Sequence, residues 1–482
     1  MPEAHGRVVL AAALLAVAGA AHAQPPPPSI DDFAALASRD GKVADAAAAR
    51  LAPAWKNGYA ALVIDLARFF RAARPPGGAG ADPLDEGGGR EDAFAAPTRT
   101  PESIVRARLM RFLARQTGQD FGDDLKRWRK WAWALPYDPH PDYAAFKARL
   151  YANVDPRMAA FFEAGTTPRI RLDEIDWGGV GVNGIPPLEQ PKVIPAAAAR
   201  YLRDDHVVFG LVVNGAARAY PKRILAWHEL ALDTLGGVRL AVVYCTLCGT
   251  VIPYESTVGG RTFTFGTSGL LYRSNKLMFD AETRSLWSTL EGRPVVGALA
   301  GSALVLTYRP VVTTTWKEWR GEHPDTTVLA LETGHRRDYG EGVAYRDYFA
   351  RDDLMFEVPE EDARLKRKAE VLTFFAGGDR RPVPVALDAS LLRRNPVFHF
   401  AAGGAEYVAV TTPAGANRVY RADGARFVRR AAAGLVDDRG KTWALTEDRL
   451  VGAAGAVLPR EPARRTFWFA WRAQFPGTLL FH

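Results

Sequence analysis

The chain has 482 residues, of which 48% are hydrophobic and 24% charged, so it can form two or three domains with a sizeable core and is not globally disordered. Its formal net charge of +8 comes from 62 basic and 54 acidic residues that are scattered rather than clustered. A basic surface for nucleic acid is therefore not expected, and the composition leaves the protein's partners unknown.

The first 23 residues resemble a signal peptide. Arg7 precedes an apolar run of about 14 residues, and Ala21-His22-Ala23 fits the small-x-small pattern of a cleavage site. This run is too short to cross a bilayer core of roughly 30 Å, and no later stretch approaches 18 apolar residues. We therefore predict cleavage near Ala23, a periplasmic or secreted protein, and no membrane span in the mature chain.

Residues 24–165 predict a helical N-terminal region, because alanine, leucine and aromatic residues recur there at helical spacing. A flexible loop rich in glycine and proline is expected near 75–101. Three tryptophans, Trp128, Trp131 and Trp133, stand close together near the end of this region. Such a cluster usually packs against a neighbouring domain, although it could also form a ligand-stacking surface.

Residues 166–482 predict a mostly antiparallel β domain. Short runs rich in β-branched and aromatic residues alternate with glycine and proline turns, and Asn214-Gly215 and Gly259-Gly260 have the spacing of tight hairpins. One internal helix is predicted from Pro221 to Leu235, before Gly236-Gly237. The predicted fold class is therefore α+β, with a helical region followed by this β domain.

The two cysteines of the chain, Cys245 and Cys248, are separated by two residues and followed by Gly249. A thiol pair at this spacing can bind a soft metal ion, exchange with disulfides, or form a fixed structural bridge. The flanking sequence places the pair on a turn between two strands, whereas a thioredoxin-type site opens a helix. This setting favours a metal-binding turn.

Other ligands would have to complete such a site. His228 lies on the predicted helix that leads into the strand ending at Cys245, and Met278 could add a thioether. Two thiolates, an imidazole and a thioether form a soft ligand set, so copper is favoured over zinc. The segment from His335 to Tyr339 is a charged loop that could be the edge of an anion or substrate site, or simply a solvated loop.

Several uncommon strings occur in one order and together resemble the DUF3179 family of exported bacterial proteins. They are DEIDWGGV (173–180), GIPPL (184–188), RAYP (218–221), WHE (227–229), YCTLCG (244–249), SGLLY (268–272) and SLWS (285–288). The resemblance is clearest over residues 169–348. It implies a function that is not characterised. It places His228, Cys245 and Cys248 within these strings, and Met278 between the last two of them.

The leading hypothesis is an exported protein that binds copper or zinc through Cys245, Cys248, His228 and Met278. Such a site would serve metal handling, electron transfer or metal-dependent chemistry. One alternative is a thiol-disulfide oxidoreductase in which Cys245 attacks and Cys248 resolves. The other is a non-catalytic binding module with structural cysteines. The sequence indicates no catalytic base and leaves open whether the protein is an enzyme.

Overall fold

The computed structural model describes residues 26–72, 101–163, 167–378, 382–431 and 434–482. Helices come first and a mostly antiparallel β region follows, which confirms the predicted α+β class. The predicted signal peptide and nearly all of the predicted loop at 75–101 lie outside the described residues. Among the helices that are described, none combines the length and the apolar character that a membrane crossing requires.

The N-terminal helices pack around one apolar core that they share with the first β-sheet. Their apolar residues recur at helical spacing, so each helix turns one face inward. Helices α1 to α6 are Ile30–Ala35, Gly41–Leu51, Ala60–Ala72, Pro101–Thr117, Leu125–Ala134 and Tyr143–Ala152. Short 3₁₀ segments are Ala52–Ala54, Asn57–Tyr59, Pro156–Phe161 and Leu172–Glu174. Because the core is shared, the helical region and the first sheet are joined by packing.

The tryptophan cluster lies at this junction. Trp128 is fully buried, and its ring lies 5.9 Å from that of Trp131. The indole nitrogen of Trp133 donates to the backbone carbonyl of Asp173, just before the β region begins. The cluster therefore packs the helices against the β region, in agreement with its interpretation as packing residues.

Three sheets and one small hairpin follow. In chain order the elements are β1 (Ile175–Trp177), β2 (Leu188–Glu189), β3 (Val193–Pro195), a 3₁₀ turn (Ala196–Ala198), β4 (Val207–Val213), β5 (Ala216–Pro221), α7 (Lys222–His228), β6 (Leu230–Leu235), β7 (Val238–Cys245), β8 (Thr250–Glu255), β9 (Thr257–Val258), β10 (Arg261–Thr262), β11 (Phe265–Tyr272), β12 (Asn275–Asp280), β13 (Leu286–Ser288), β14 (Arg293–Val296), β15 (Val312–Thr315), α8 (Trp316–Glu322) and β16 (Thr327–Leu329). The sheet orders are β1-β11-β12-β13-β14, β2-β6-β7-β8 and β15-β4-β5-β16-β3, and β9 pairs with β10.

The C-terminal part adds two further sheets. Its elements are α9 (Arg346–Ala350), β17 (Glu370–Ala376), β18 (Val383–Asp388), α10 (Ala389–Arg394), β19 (Val397–Ala402), β20 (Ala405–Thr411), β21 (Asn417–Arg421), β22 (Phe427–Ala431), β23 (Gly434–Asp437), β24 (Thr442–Leu445), β25 (Arg449–Val451), a 3₁₀ turn (Ala453–Gly455), β26 (Val457–Glu461), β27 (Arg464–Phe467), α11 (Trp468–Gln474) and β28 (Leu479–Phe481). One sheet has the order β27-β17-β18-β28 and the other β19-β20-β21-β26-β25-β24-β23-β22.

The predicted internal helix is shorter than the sequence indicated. Helix α7 ends at His228, and Leu230–Leu235 forms strand β6, which pairs with β7 in antiparallel register. Glu229 has a φ of 56°, in the left-handed region, and this turn reverses the chain from helix to strand. The predicted helix from Pro221 to Leu235 was therefore wrong beyond His228, because pairing with β7 outweighs the helical propensity of leucine and alanine.

Gly269, in the SGLLY string, holds the segment before β2 against β11. Its φ is +76°, and a Cβ there would lie 2.3 Å from the backbone oxygen of Val180. We expect Gly269→Ala to lower the free energy of unfolding by at least about 2 kcal/mol. An alanine there would be strained in the left-handed backbone conformation, and its Cβ would also overlap with the backbone of Val180. Urea denaturation measures this change.

Gly321 is the matched control. It lies in α8, and nothing stands within 4 Å of a Cβ added there. Gly321→Ala should leave stability unchanged or raise it by up to about 1 kcal/mol, because alanine is the better helix former. Equal effects of the two substitutions would contradict the structural role of Gly269.

Candidate functional site

Cys245 and Cys248 are bonded to each other in a disulfide on the turn between β7 and β8. Strand β7 ends at Cys245, which pairs with Thr250 of β8. The backbone N–H of Cys248 donates to the carbonyl of Cys245 at 3.2 Å, and Gly249 has a φ of 63° that closes the turn. The strand-turn-strand setting predicted for the pair is what the structure has. Since each sulfur is already bonded, neither is available as a thiolate ligand in this state.

Apolar residues from distant parts of the chain cover the disulfide. Cys245 is 4% exposed and Cys248 is fully buried. The hydroxyl of Tyr348 donates to the carbonyl of Leu247 at 2.7 Å, and the backbone N–H of Phe467 donates to the carbonyl of Cys248 at 2.8 Å. We call residues 345–358 the cover segment, because its apolar side chains and those of 467–473 pack on the cysteines. Sequence analysis did not identify these covering residues.

A buried ion pair lies beside the turn. The backbone carbonyl of Glu229 accepts the N–H of Tyr244 at 2.8 Å and the ammonium of Lys276 at 3.1 Å. The ammonium also lies 3.3 Å from the Glu229 carboxylate. Burial lowers the pKa of Lys276, and the charge of Glu229 opposes this effect. The pair joins β12 to the residue before Cys245, so a buried cation and its counter-ion are fixed next to the turn.

Glu229 and Lys276 were not singled out as functional residues by the sequence analysis. Glu229 follows His228 in the WHE string, and Lys276 stands four residues after the SGLLY string. Both residues therefore lie in or near strings that carry the family resemblance. Only the fold brings the two residues together, because Glu229 follows α7 and Lys276 lies 47 positions later, on β12.

His228 is buried at the end of α7, and both of its ring nitrogens have partners. Nδ1 lies 2.8 Å from the carbonyl oxygen of Pro186, which can only accept, so Nδ1 carries the proton. Nε2 lies 2.6 Å from the hydroxyl of Tyr339, which in turn lies 2.6 Å from the hydroxyl of Thr333. Burial, with smaller contributions from His335 and Arg337, lowers the pKa of His228 to about 4. A neutral imidazole therefore accepts the Tyr339 hydrogen bond.

The charged loop from His335 to Tyr339 lies against this histidine. The rings of His335 and His228 are 5.0 Å apart, and an open cavity of about 730 Å³ is lined by this loop together with Trp227 and Val343. The loop is thus part of the surroundings of His228. Whether it forms a substrate edge stays a prediction.

Met278 lies apart from the disulfide. It is fully buried on β12, in an apolar cluster with Leu230, Val243 and Trp287, whereas the cysteines belong to a different cluster. Its thioether therefore packs as a core side chain.

The four predicted ligands do not fit a metal ion in this state. The sulfurs are bonded to each other, His228 uses both nitrogens, and Met278 packs elsewhere. In the described part of the chain, the one group of His, Cys, Asp and Glu with metal-like spacing is Glu322, His323 and Glu447. Arg418 contacts both of those carboxylates and Arg460 also contacts Glu447, so two arginines already neutralise that cluster. A metal site at the cysteines stays a prediction for the reduced protein.

The His228 environment makes stability depend on pH. The unfolded histidine has a pKa near 6.5, above the folded value of about 4, so the unfolded state binds more protons between these values. Stability should therefore fall as the pH drops from 6.5 to 4, by at most about 3 kcal/mol from this group. Urea denaturation across this range should show a flatter dependence for His228→Gln, while His482→Gln, at the exposed C-terminus, should match the parent. If the stability of His228→Gln fell with pH as steeply as that of the parent, this contribution of His228 would be contradicted.

Comparison with curated proteins and with solved structures found no match. A family model described as a protein of unknown function, DUF3179, matches residues 182–478. This match spans more than half of the chain. It includes α7, both cysteines, Lys276 and the cover segment. It begins just after the string at 173–180, covers the other six strings and extends well beyond them toward the C-terminus. The chain therefore belongs to the DUF3179 family.

Proposed function

We propose that the protein is a thiol-disulfide oxidoreductase whose redox centre is the Cys245–Cys248 pair. The observation that carries the proposal is the bond between these two cysteines, on a turn beside a buried ammonium group. An oxidised pair at this spacing is one of the two end states that such an enzyme alternates between. The disulfide favours the oxidoreductase hypothesis over the metal-site hypothesis, because a metal site requires both sulfurs as free thiolates.

A purely structural bridge is less well supported by the energetics. The two cysteines are three positions apart, so the disulfide closes a very small loop. In the chain-entropy account, such a loop stabilises the folded state by only about 2 kcal/mol, compared with nearly 5 kcal/mol for a loop of about 100 residues. The turn is also held by β-pairing on both sides and by the Phe467 contact. The bond therefore adds little that the surrounding structure does not already provide.

The proposed reaction is a two-electron exchange. In the reduced enzyme, the Cys245 thiolate attacks a substrate disulfide, forms a mixed disulfide and releases one substrate thiol. The Cys248 thiolate then attacks the Cys245 sulfur, which forms the Cys245–Cys248 disulfide and releases the second substrate thiol. The enzyme thus loses two electrons and two protons, and the substrate gains them. Cys245 is assigned the attacking role because it keeps some exposure, whereas Cys248 is fully buried.

Access to Cys245 requires movement of the cover segment. Tyr348 is held on the turn by its hydrogen bond to Leu247, and the ammonium of Lys368 lies 3.4 Å from the centre of its ring. Between β16 and β17, only the short helix α9 interrupts a long irregular stretch. A long irregular segment over a buried reactive group has the character of an active-site lid. Opening would expose Cys245 before Cys248.

Trapping of the mixed disulfide tests the proposal. A reduced Cys248→Ser variant should form a stable adduct with glutathione disulfide at Cys245, because the resolving thiol is missing. The reduced Cys245→Ser variant is the matched control and should react at least about ten times more slowly, since its one thiol is buried. Mass spectrometry of the intact variants measures both rates.

Two results would contradict the proposal. One is equal or absent reaction of both variants while each remains folded. The other is stoichiometric copper or zinc in protein purified from its native compartment, lost in both serine variants, which would favour the metal hypothesis instead.

Lys276 should favour the thiolate form of Cys245. Its buried ammonium offsets the charge of the Glu229 carboxylate 3.3 Å away, and without it that negative charge would stand uncompensated beside the residue before Cys245, which raises a thiol pKa. In the reduced Cys248→Ser background, Lys276→Met should raise the pKa of Cys245 by about one unit, whereas Lys276→Arg keeps the charge. The pH dependence of the iodoacetamide reaction measures the value in variants whose circular dichroism is native. Identical pH profiles for the Lys276→Met and Lys276→Arg variants would refute the role of Lys276 in stabilising the Cys245 thiolate.

A further inference from the structure

A second site lies at the junction of the helices and the first sheet, on the far side of the cover segment. A cavity of about 300 Å³ opens there between α3, α5, β1 and residues 355–357. Much of its wall is apolar, with Phe69, Leu125, Leu150, Trp177 and Met355 among the lining residues. This volume is at the lower end of the range for small-molecule sites.

The floor of the cavity holds a buried cluster of charged side chains. Asp176 is fully buried and contacts both Arg68 and Arg129, the latter at 2.8 Å. Asp65 accepts from the ammonium of Lys147 at 2.8 Å and lies 3.8 Å from Arg68. Three cations therefore share two carboxylates, so the cluster carries one positive charge in excess. Burial is the main cause of the lowered pKa of Arg129, and the neighbouring Arg68 lowers it further.

Among the residues that the structure describes, the nearby acidic groups do not offset this excess. Glu357 at the rim pairs with Lys126 at 2.9 Å, and the two cancel. Asp173 pairs with Arg171 at 2.7 Å, and Glu174 pairs with Arg273 at 2.5 Å. Each of these carboxylates is thus neutralised by an arginine or lysine of its own. Two of the three cations, Arg68 and Arg129, line the cavity.

A buried charge without a counter-ion is costly, and a bound anion would remove that cost. Arginine guanidinium groups recognise carboxylates through paired hydrogen bonds, and the walls would bury an apolar chain. From this combination we infer that the cavity binds a small organic monoanion, a carboxylate with an apolar tail. The carboxylate would contact Arg68 and Arg129, and the tail would pack against Trp177 and Met355.

The direct test is calorimetric titration of the full chain with octanoate, 1-octanol and octylammonium. Octanoate should bind saturably at one site, and the other two probes should bind at least about tenfold more weakly, since they lack the anionic group. Equal affinity for octanoate and octanol would overturn the proposal, because an apolar pocket alone would then explain binding. Absence of octanoate binding would overturn it as well.

Two variants assign the binding to this cavity. Arg129→Met balances the buried cluster, because two cations then face two carboxylates, so the fold should persist while octanoate affinity falls at least about tenfold. Met355→Glu places a carboxylate at the cavity and should lower the affinity for octanoate to a similar extent. The side chain of Met355 is 51% exposed, so this substitution should not disturb the fold. Val428→Glu changes an exposed side chain elsewhere and should bind like the parent. Unchanged octanoate affinity in both cavity variants would overturn the assignment.

Discussion

The contact on which the site depends is the one between Lys276 and Glu229. A single backbone carbonyl receives the N–H of the residue before Cys245 from one sheet and the Lys276 ammonium from another. This contact fixes the end of β7, and with it the position of the disulfide, relative to β12. Glu229 itself has a left-handed backbone, at the turn where α7 ends and β6 begins its pairing with β7. A buried charge is kept at this point because its partner is also buried.

The cover segment connects the two sites proposed for this protein. Its residues Tyr348 and Phe356 pack on the cysteine cluster, while Met355 and Phe356 line the cavity at the helical junction. One piece of chain thus touches both the redox centre and the anion cavity. A ligand that filled the cavity would add contacts to the segment in its closed position, so occupancy and access to Cys245 share a physical link. The fold therefore places the reactive pair under a segment whose position other contacts can bias.

The sequence predicted the features that depend on local pattern. Alternating apolar residues and paired glycines predicted the hairpins, and the strands on either side of Cys245 and Cys248 followed from the same reasoning. Prediction from the sequence failed where long-range pairing decides the secondary structure or the contacts of a residue. Leu230–Leu235 has the composition of a helix and becomes a strand only because β7 pairs with it. Tyr348 and Phe467 reach the disulfide from 101 and 219 positions away, and no local pattern indicates such contacts. Met278 belongs to a different apolar cluster from the cysteines, and the predicted ligand set stays a prediction for the reduced protein.

The central claim is that Cys245 and Cys248 form a reversible redox couple inside a stable fold. Equilibration of the full chain in glutathione buffers of defined potential, followed by acid quenching and alkylation of free thiols, measures this directly. A reversible couple should show a two-electron transition with a midpoint between about −120 and −270 mV, the range of known exchange catalysts, with native circular dichroism on both sides. A disulfide that stays oxidised below about −300 mV, or that is reduced only when the protein unfolds, would contradict the account and identify the bond as structural.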